Sequence, residues 1–431
     1  MDSDTDLDLS FTSSTTTTTD FTCSSARTSS LARSSLTLSF NESRLSTLHP
    51  HPHRTSDPHW SAIKAATNIS SDGKLHLRHL KLLRHLGTGN LGRVFLCHLR
   101  DFDHASFALK VVDKDSLTSK KLSHVQMESD ILSILDHPFL PTLYAHFDVS
   151  HYTCFLIDYC PGGDLHSLLR KHPNNRLPLQ SVRFFAAEVL VALEYLHALG
   201  IIYRDLKPEN VLLREDGHVM LSDFDLCFKA HVVPTFTTEF VAEPTTAFSR
   251  SCVGTHEYLA PELVSGNGHA NGVDWWAFGV FIYEMLYGTT PFKGGSKEST
   301  LRNIASTRQV RFHVAKEEEK GMVEARDLIQ KLLVKDPRRR LGCTKGATDV
   351  KRHPFFDGIK WPLIRTYTPP GFVRNVKRQS GLSLWWKRFG FLLKNKRSKC
   401  NSNHSNSKSH YYHYMDNNKN NSNNKARKYS M

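Results

Sequence analysis

The residues best suited to chemistry lie in the run Tyr203-Arg204-Asp205-Leu206-Lys207-Pro208-Glu209-Asn210. Asp205 could accept a proton, Lys207 could neutralise phosphate charge, and Asn210 could bind a metal ion. A second carboxylate, Asp223, follows in a D-F-D motif and suits Mg²⁺. A base, a cation and two oxygen ligands in this order indicate transfer of a phosphoryl group.

A glycine-rich segment precedes these residues and fits the pattern G-x-G-x-x-G-x-V. Glycines let backbone amides approach phosphate oxygens closely. The pattern alone also fits a dinucleotide-binding turn, but the sequence continues as a strand, Val94-Phe95-Leu96-Cys97, and not as a helix. This favours a β-hairpin that covers the phosphates, and not a dinucleotide-binding turn. The candidates for nucleotide contact are Gly87, Thr88, Gly89, Asn90, Gly92 and Val94.

A lysine in an apolar strand, Ala108-Leu109-Lys110-Val111, is costly unless its charge is used. The alternative is that Lys110 lies on the solvent face of the strand. Glu128 follows on a predicted helix that has one apolar face. We therefore expect Glu128 to pair with Lys110 and to hold it on the α- and β-phosphates.

The apolar pattern divides the central region into two parts. Short strands come first with one helix among them, and after Gly163 the pattern becomes helical. The strands are predicted at Leu80–Leu86, Arg93–Leu99, Phe107–Val112, Thr142–Phe147 and Tyr152–Tyr159, and the helices around Val125–Leu135 and Val182–Leu199. A small β-rich lobe followed by a larger, mostly helical lobe is an α+β arrangement, with a ligand cleft between the lobes.

The composition changes on both sides of this region. Residues 1–74 are rich in Ser and Thr and are predicted to be a disordered arm. Residues 75–357 form the predicted domain, and residues 358–431 form a basic, partly disordered tail. Of the net charge of +14, residues 371–431 carry +13, because fourteen Lys and Arg stand against one acid, Asp416. A basic tail suggests a detachable docking element.

Eight cysteines are scattered along the chain without a C-x-x-C pair. This distribution favours a reducing, intracellular environment. No run of eighteen or more apolar residues occurs, so no transmembrane helix is expected.

Two more motifs complete the set, Gly254-Thr255-His256-Glu257-Tyr258-Leu259-Ala260-Pro261-Glu262 and Asp274-Trp275-Trp276-Ala277-Phe278-Gly279. With the motifs above, in this order, the sequence from about Leu75 to Phe356 resembles the eukaryotic protein kinase family. Tyr203, where a histidine is usual, resembles the AGC group of serine/threonine kinases.

The D-F-D motif resembles that of plant AGC kinases of the PINOID and WAG type. The Ser/Thr-rich N-terminus and the enlarged activation segment, with an insert at about 232–246, also resemble those of these plant kinases. The WAG branch is the closer match of the two. Asp225 replaces a glycine in this motif, so the segment loses backbone freedom. Since the subgroup shares the feature, we do not take it as a sign of inactivity.

The resemblance implies a bilobal protein kinase fold that uses ATP and Mg²⁺. It implies that Asp205 orients the substrate hydroxyl and accepts its proton, and that Lys207 stabilises charge on the γ-phosphate. Asn210 and Asp223 would hold Mg²⁺. Further expected contacts are those of Thr255 with Asp205 and Lys207, of Glu262 with Arg340, and of the backbone of Asp158 and Cys160 with adenine.

The resemblance also implies a substrate class and a mode of activation. Asp164, Glu209 and Glu284 occupy positions of acids that favour basic residues upstream of the phosphorylated Ser or Thr. Ser251 lies four residues before Thr255, where an upstream activating kinase would place a phosphate, and Arg204 would receive it. The substrates implied are plasma-membrane auxin efflux carriers, which gives a role in polar auxin transport.

The tail contains apolar residues at helical spacing in segment 382–394, including Trp385 and Trp386, followed by Lys396, Arg397 and Lys399. A basic amphipathic helix with two Trp suits the surface of an anionic membrane. We therefore expect a cytoplasmic protein that attaches peripherally to the inner plasma membrane, with cytosolic and nuclear pools. The alternatives are that these aromatics pack on the kinase lobe or that the tail binds nucleic acid. No specific nucleic acid is expected.

Two interpretations of the whole chain remain open at this point. The first is an active kinase, because every residue with a catalytic role is present. The second is a pseudokinase-like scaffold at the membrane, and only Asp225 supports it.

Overall fold

The computed structural model describes residues 57–370 apart from gaps at 231–234, 237–239, 242, 245–248, 250, 252, 308 and 313–319. The predicted arm before Asp57 and the tail after Pro370, with its segment 382–394, lie outside the described residues. Most of the predicted insert at 232–246 also does.

The α-helices are α1 (Pro58–Ile69), α2 (Ser119–Ile134), α3 (Leu165–Arg170), α4 (Leu179–Ala198), α5 (Pro261–Val264), α6 (Gly272–Tyr287), α7 (Lys297–Ala305), α8 (Met322–Leu332) and α9 (Ala347–Lys351). The strands of the first lobe are β1 (Leu80–Thr88), β2 (Arg93–Leu99), β3 (Phe102–Asp113), β4 (Leu143–Asp148) and β5 (Tyr152–Asp158). The short strands that follow are β6 (Ile201–Ile202), β7 (Val211–Leu213), β8 (Val219–Leu221), β9 (Phe228–Lys229), β10 (Thr235–Phe236) and β11 (Phe240–Val241).

The first lobe is an antiparallel sheet in the order β1-β2-β3-β5-β4. Side chains alternate between its two faces. Leu109 of β3 belongs to a buried cluster with Trp60 and Ile63 of α1, whereas the next residue, Lys110, bonds to α2 on the other face. Helices therefore pack on both faces of the sheet, and β3 carries Lys110 toward the cleft.

Helix α1 corrects one sequence expectation, because it lies inside the region predicted to be disordered. Asp57 caps it by accepting a hydrogen bond from the backbone N–H of His59, and Pro58 occupies the first turn. Trp60 and Ile63 are buried against the sheet. Burial of large apolar side chains stabilises this short helix, so the folded domain begins well before residue 75.

The second lobe is mostly helical and is organised around α4 and α6. Helix α4 buries one apolar face, as its spacing predicted, and α6 is buried on all sides with Trp275 and Trp276 fully enclosed. Helix α8 packs against α6. A search of the described helices for one long and apolar enough to cross a bilayer finds none. The predicted α+β class and bilobal arrangement are confirmed.

Candidate active site

The loop between β6 and β7 carries the residues first singled out from the sequence. Asp274, at the start of the buried helix α6, accepts hydrogen bonds from the backbone N–H groups of Tyr203 at 2.8 Å and Arg204 at 2.7 Å. Arg204 has φ +67°, which is unfavourable for a residue with a Cβ. The two charge-assisted hydrogen bonds hold the loop in this conformation.

Three polar groups surround the carboxylate of Asp205. Lys207 Nζ lies 2.7 Å from Asp205 Oδ2 and 3.0 Å from Thr255 Oγ1, and that hydroxyl is 3.3 Å from Asp205 Oδ1. Asn210 Nδ2 donates to the backbone oxygen and to Oδ2 of Asp205, at 2.9 and 2.8 Å. The predicted contacts of Thr255 are therefore present, and Asp205 is oriented from several sides.

Asn210 and Asp223 offer oxygen atoms that fit a hard divalent cation. The amide nitrogen of Asn210 is used by Asp205, which leaves its oxygen Oδ1 as the atom suited to a metal. Asp223 has φ +58°, an unusual conformation at a polar site. Within the described residues, no group of three or more His, Cys, Asp or Glu could hold a metal ion. Two protein oxygen ligands fit Mg²⁺, which in proteins is commonly bound by one or two carboxylates together with waters and substrate phosphates.

The ion pair expected between Lys110 and Glu128 is present and buried. Lys110 Nζ lies 2.6 and 2.8 Å from the two carboxylate oxygens of Glu128, and 3.3 Å from Asp223 Oδ1. Burial alone lowers the pKa of Lys110, but the carboxylates of Glu128 and Asp223 outweigh it, so the net pKa is raised. Lys110 is therefore charged and lies between α2 and the predicted metal ligand.

The loop between β1 and β2 holds the glycine-rich segment. Gly89 N–H donates to Gly92 O at 2.9 Å, and β1 and β2 pair through Gly87 with Val94 and Thr88 with Arg93. A Cβ on Gly92 would lie 2.3 Å from the backbone oxygen of Val111. Glycine at position 92 is therefore required for the β1–β2 hairpin to approach β3, independently of any ligand.

Asp225, the residue that replaces a glycine, is buried beneath the glycine-rich loop. Asn90 Nδ2 lies 3.4 Å from Asp225 Oδ2. Burial and the neighbouring carboxylate of Asp223 raise the pKa of Asp225 to about 7. The backbone of Asp225 is outside the left-handed region, so a side chain is tolerated at this position.

The predicted hinge follows β5. The side chain of Asp158 accepts hydrogen bonds from Thr142 N–H at 2.7 Å and from Tyr144 Oη at 3.2 Å, so its carboxylate stabilises the first lobe. Cys160 is half-buried, with its sulfur 3.9 Å from Met220 Sδ. Backbone contact of these residues with adenine stays a prediction.

The three acids assigned to substrate binding have different surroundings. Asp164 caps α3 by accepting from Ser167, so part of its role is structural. Glu284 is 2.5 Å from the hydroxyl of Tyr258. Glu209 is the most open, with its side chain 49% exposed and 2.8 Å from His166 Nδ1. Glu209 is thus the best placed of the three to meet a basic peptide.

In the activation segment, Ser251 is exposed, as a modification site requires. Arg204 donates to the backbone oxygens of Leu226 and Cys227, and it approaches the hydroxyl of Ser249 at 3.4 Å. Within the described part of the activation segment, the hydroxyl that contacts this guanidinium is that of Ser249, which in turn accepts from Ser251 N–H.

The expected ion pair between Glu262 and Arg340 is present as two bonds of 2.7 and 2.8 Å. It anchors the end of the activation segment to the second lobe. Sequence reasoning missed a further anchor, Glu243, which lies in the insert and is buried against His197. The only sequence signal for it is an acid in a largely uncharged stretch, which does not reveal its partner.

Comparison with known proteins agrees with this geometry. The protein kinase domain model matches residues 80–356. The serine/threonine-protein kinases WAG1 and WAG2 of Arabidopsis thaliana are 63% and 61% identical, over 93% and 94% of this chain and 95% of each relative. Protein kinase PINOID of Oryza sativa subsp. japonica is 47% identical over 74% of both chains.

A kinase domain of this kind uses ATP and a divalent metal ion, and the relatives at high identity are named as serine/threonine kinases. The chain therefore belongs to the protein kinase family, as a serine/threonine kinase of the plant WAG and PINOID group.

Proposed function

We propose that this kinase transfers the γ-phosphate of Mg-ATP to Ser or Thr hydroxyls through Asp205. The carboxylate of Asp205 orients the hydroxyl and accepts its proton, and Lys207 neutralises charge that develops on the phosphate. The observation that carries this proposal is the set of bonds from Lys207, Thr255 and Asn210 to Asp205.

In this proposal Asn210 and Asp223 would hold the Mg²⁺, which would supply positive charge to neutralise the phosphates. Lys110, fixed by Glu128, binds the α- and β-phosphates. The glycine-rich loop, with Gly87, Thr88, Gly89, Asn90, Gly92 and Val94, covers them. The backbone groups of Asp158 and Cys160 bind adenine. The support is the buried contact of Lys110 with both Glu128 and Asp223.

The substrates are proteins with basic residues upstream of the acceptor, and Glu209 supports this with its exposed carboxylate. Asp164 and Glu284 complete the acidic surface. By family resemblance, the substrates are auxin efflux carriers of the plasma membrane, and the kinase regulates polar auxin transport. An upstream kinase phosphorylates Ser251, and Arg204 binds the phosphate.

The kinase acts at the cytoplasmic side of the plasma membrane, with cytosolic and nuclear pools, and binds anionic lipid through its basic tail. The support is the amphipathic pattern of segment 382–394 and the charge of +13 in residues 371–431, both read from the sequence.

The test is phosphorylation of the cytoplasmic loop of an auxin efflux carrier by the purified full chain and by Asp205→Asn. The proposal expects Ser or Thr phosphorylation by the first protein only. If a generic basic peptide is phosphorylated but the carrier loop is not, the proposed substrate is wrong and the kinase activity stands. Loss of both would favour the alternative, a pseudokinase-like scaffold, for which Asp225 is the one motivating residue.

A further inference from the structure

Glu243 is a buried acid in the activation-segment insert, and its side chain has three partners in the second lobe. Its Oε2 lies 2.8 Å from His197 Nδ1 and 2.7 Å from Asn271 Nδ2. Its Oε1 accepts from the backbone N–H of Ala347 at 3.3 Å. Burial of a charged carboxylate is costly unless the carboxylate is paired. These contacts therefore stabilise Glu243 in its buried position.

The pocket fits a carboxylate closely. A Cβ on Gly346 would lie 1.9 Å from Glu243 Oε1, and Gly346 has φ +63°. Any other residue at position 346 would therefore be strained and would collide with the side chain of Glu243. The start of α9 is thus shaped around the acid that the insert supplies.

His197, at the end of α4, connects Glu243 to Asp274. The ring is fully buried, with Nδ1 at 2.8 Å from Glu243 and Nε2 at 2.8 Å from Asp274 Oδ2. Burial alone lowers the pKa of His197, but the two carboxylates outweigh it and raise it to about 10. The ring is therefore an imidazolium that donates to an acid on each side.

Asp274 is the residue that holds the backbone of the catalytic loop. Its Oδ2 accepts from both His197 and Tyr203 N–H, and its Oδ1 accepts from Arg204 N–H. Arg204 is in an unfavourable backbone conformation, and Asp205 follows directly. The orientation of this one carboxylate therefore affects where the catalytic aspartate lies.

We propose that Glu243 is a positioning residue that couples its own contacts with the second lobe to the catalytic loop, through His197 and Asp274. With Glu243 docked, the imidazolium is balanced by two carboxylates and Asp274 keeps its orientation. Without Glu243, the buried imidazolium of His197 keeps one carboxylate partner, Asp274, which must then balance its whole positive charge. Glu243 thereby affects turnover from outside the catalytic loop. The inference rests on the catalytic role proposed for the loop.

The experiment compares kcat and the KM for ATP of the full chain with those of Glu243→Gln, His197→Asn and the double variant, on a basic test peptide. All proteins are compared at the same phosphate occupancy of Ser251, checked by mass spectrometry, so that they differ only at the substituted residues. Glu188→Gln is the matched control, because Glu188 is a buried acid paired with a histidine, His218, and it has no bond to Asp274. Hydrogen exchange of the peptide that spans residues 201–206 is measured on the same samples.

Glu243→Gln should lower kcat by about tenfold with KM for ATP within about twofold, because a small misplacement of a catalytic group is costly. Exchange at residues 201–206 should become faster in Glu243→Gln and stay unchanged in Glu188→Gln. The double variant should turn over like His197→Asn alone, because Glu243 acts through that ring.

Two results would overturn the proposal. One is a Glu243→Gln protein with wild-type kcat and wild-type exchange in the catalytic loop. The other is a double variant in which the two losses multiply, since that means that Glu243 and His197 act independently. A wild-type chain without phosphate transfer would instead reject the proposed function, and the exchange measurement would still decide the coupling.

Discussion

Lys110 Nζ lies 2.6 Å from Glu128 Oε1, and this buried ion pair joins β3 to α2. The same ammonium lies 3.3 Å from Asp223 Oδ1, in the motif that begins the activation segment. Strand β3, helix α2 and the start of the activation segment therefore meet at the ammonium group of Lys110. Because Lys110 is almost fully buried, its two carboxylate partners fix where its ammonium lies.

Glu128→Gln should lower kcat/KM for ATP by about 100-fold or more, because Lys110 loses the carboxylate that holds its charge toward the phosphates. Lys110 would then turn to Asp223 as its remaining carboxylate. Steady-state kinetics with varied ATP measure the effect. Asp130→Asn on the exposed side of α2 is the control and should stay near wild type. An unchanged kcat/KM in Glu128→Gln would mean that the pair is not needed for nucleotide use.

Glu209→Gln should raise the KM for peptides with upstream Arg by about threefold to tenfold and leave kcat nearly unchanged, because it removes one charge-assisted contact. A peptide library with Arg replaced at each upstream position measures the preference. Glu215→Gln, an exposed acid in the turn between β7 and β8, is the matched control. If replacing upstream Arg has no effect on the wild-type protein, the basic preference is wrong.

Ser251→Ala should lower activity by at least about tenfold, because a phosphate near Arg204 forms charge-assisted hydrogen bonds that order the activation segment. Peptide phosphorylation before and after phosphatase treatment is the measurement. Ser249→Ala is an informative companion, since the Ser249 hydroxyl contacts Arg204. Full turnover by a completely dephosphorylated wild-type sample would refute activation by phosphate.

The full chain should sediment with vesicles that contain anionic lipid and not with neutral vesicles. Each basic residue near the surface adds about 1 kcal/mol. Trp385→Ala/Trp386→Ala should weaken the binding, because the indole rings supply the apolar part of the contact. Equal binding to both vesicle types, or binding to neither, would contradict peripheral attachment through the tail.

Much of the fold follows from local sequence pattern. The strand predicted at Arg93–Leu99 forms over those same residues, and the helix predicted around Val182–Leu199 forms as Leu179–Ala198. The helix has apolar residues at helical spacing over about five turns. The strand is a short continuous apolar run after Gly92, so its length and the preceding glycine, and not a period, indicate a strand. The ion pair of Lys110 and Glu128 was predictable for a related reason, since a charge in an apolar strand needs a partner.

The missed features depend on contacts between distant parts of the chain. Helix α1 has a cap signal in Asp57-Pro58, but its stability comes from packing of Trp60 on a sheet that the local sequence does not contain. Glu243 and His197 are 46 positions apart and on different elements. No periodicity connects them, so only the folded structure brings them together.

The most direct test of the account measures phosphate transfer from ATP to a basic Ser/Thr peptide by the purified full chain. The assay runs with Mg²⁺, with a chelator, and with Asp205→Asn in place of wild type. The account predicts transfer to Ser or Thr that stops with the chelator and falls by at least about 100-fold in Asp205→Asn. A folded wild-type chain that binds ATP without transferring phosphate, or an Asp205→Asn variant with wild-type turnover, would contradict it.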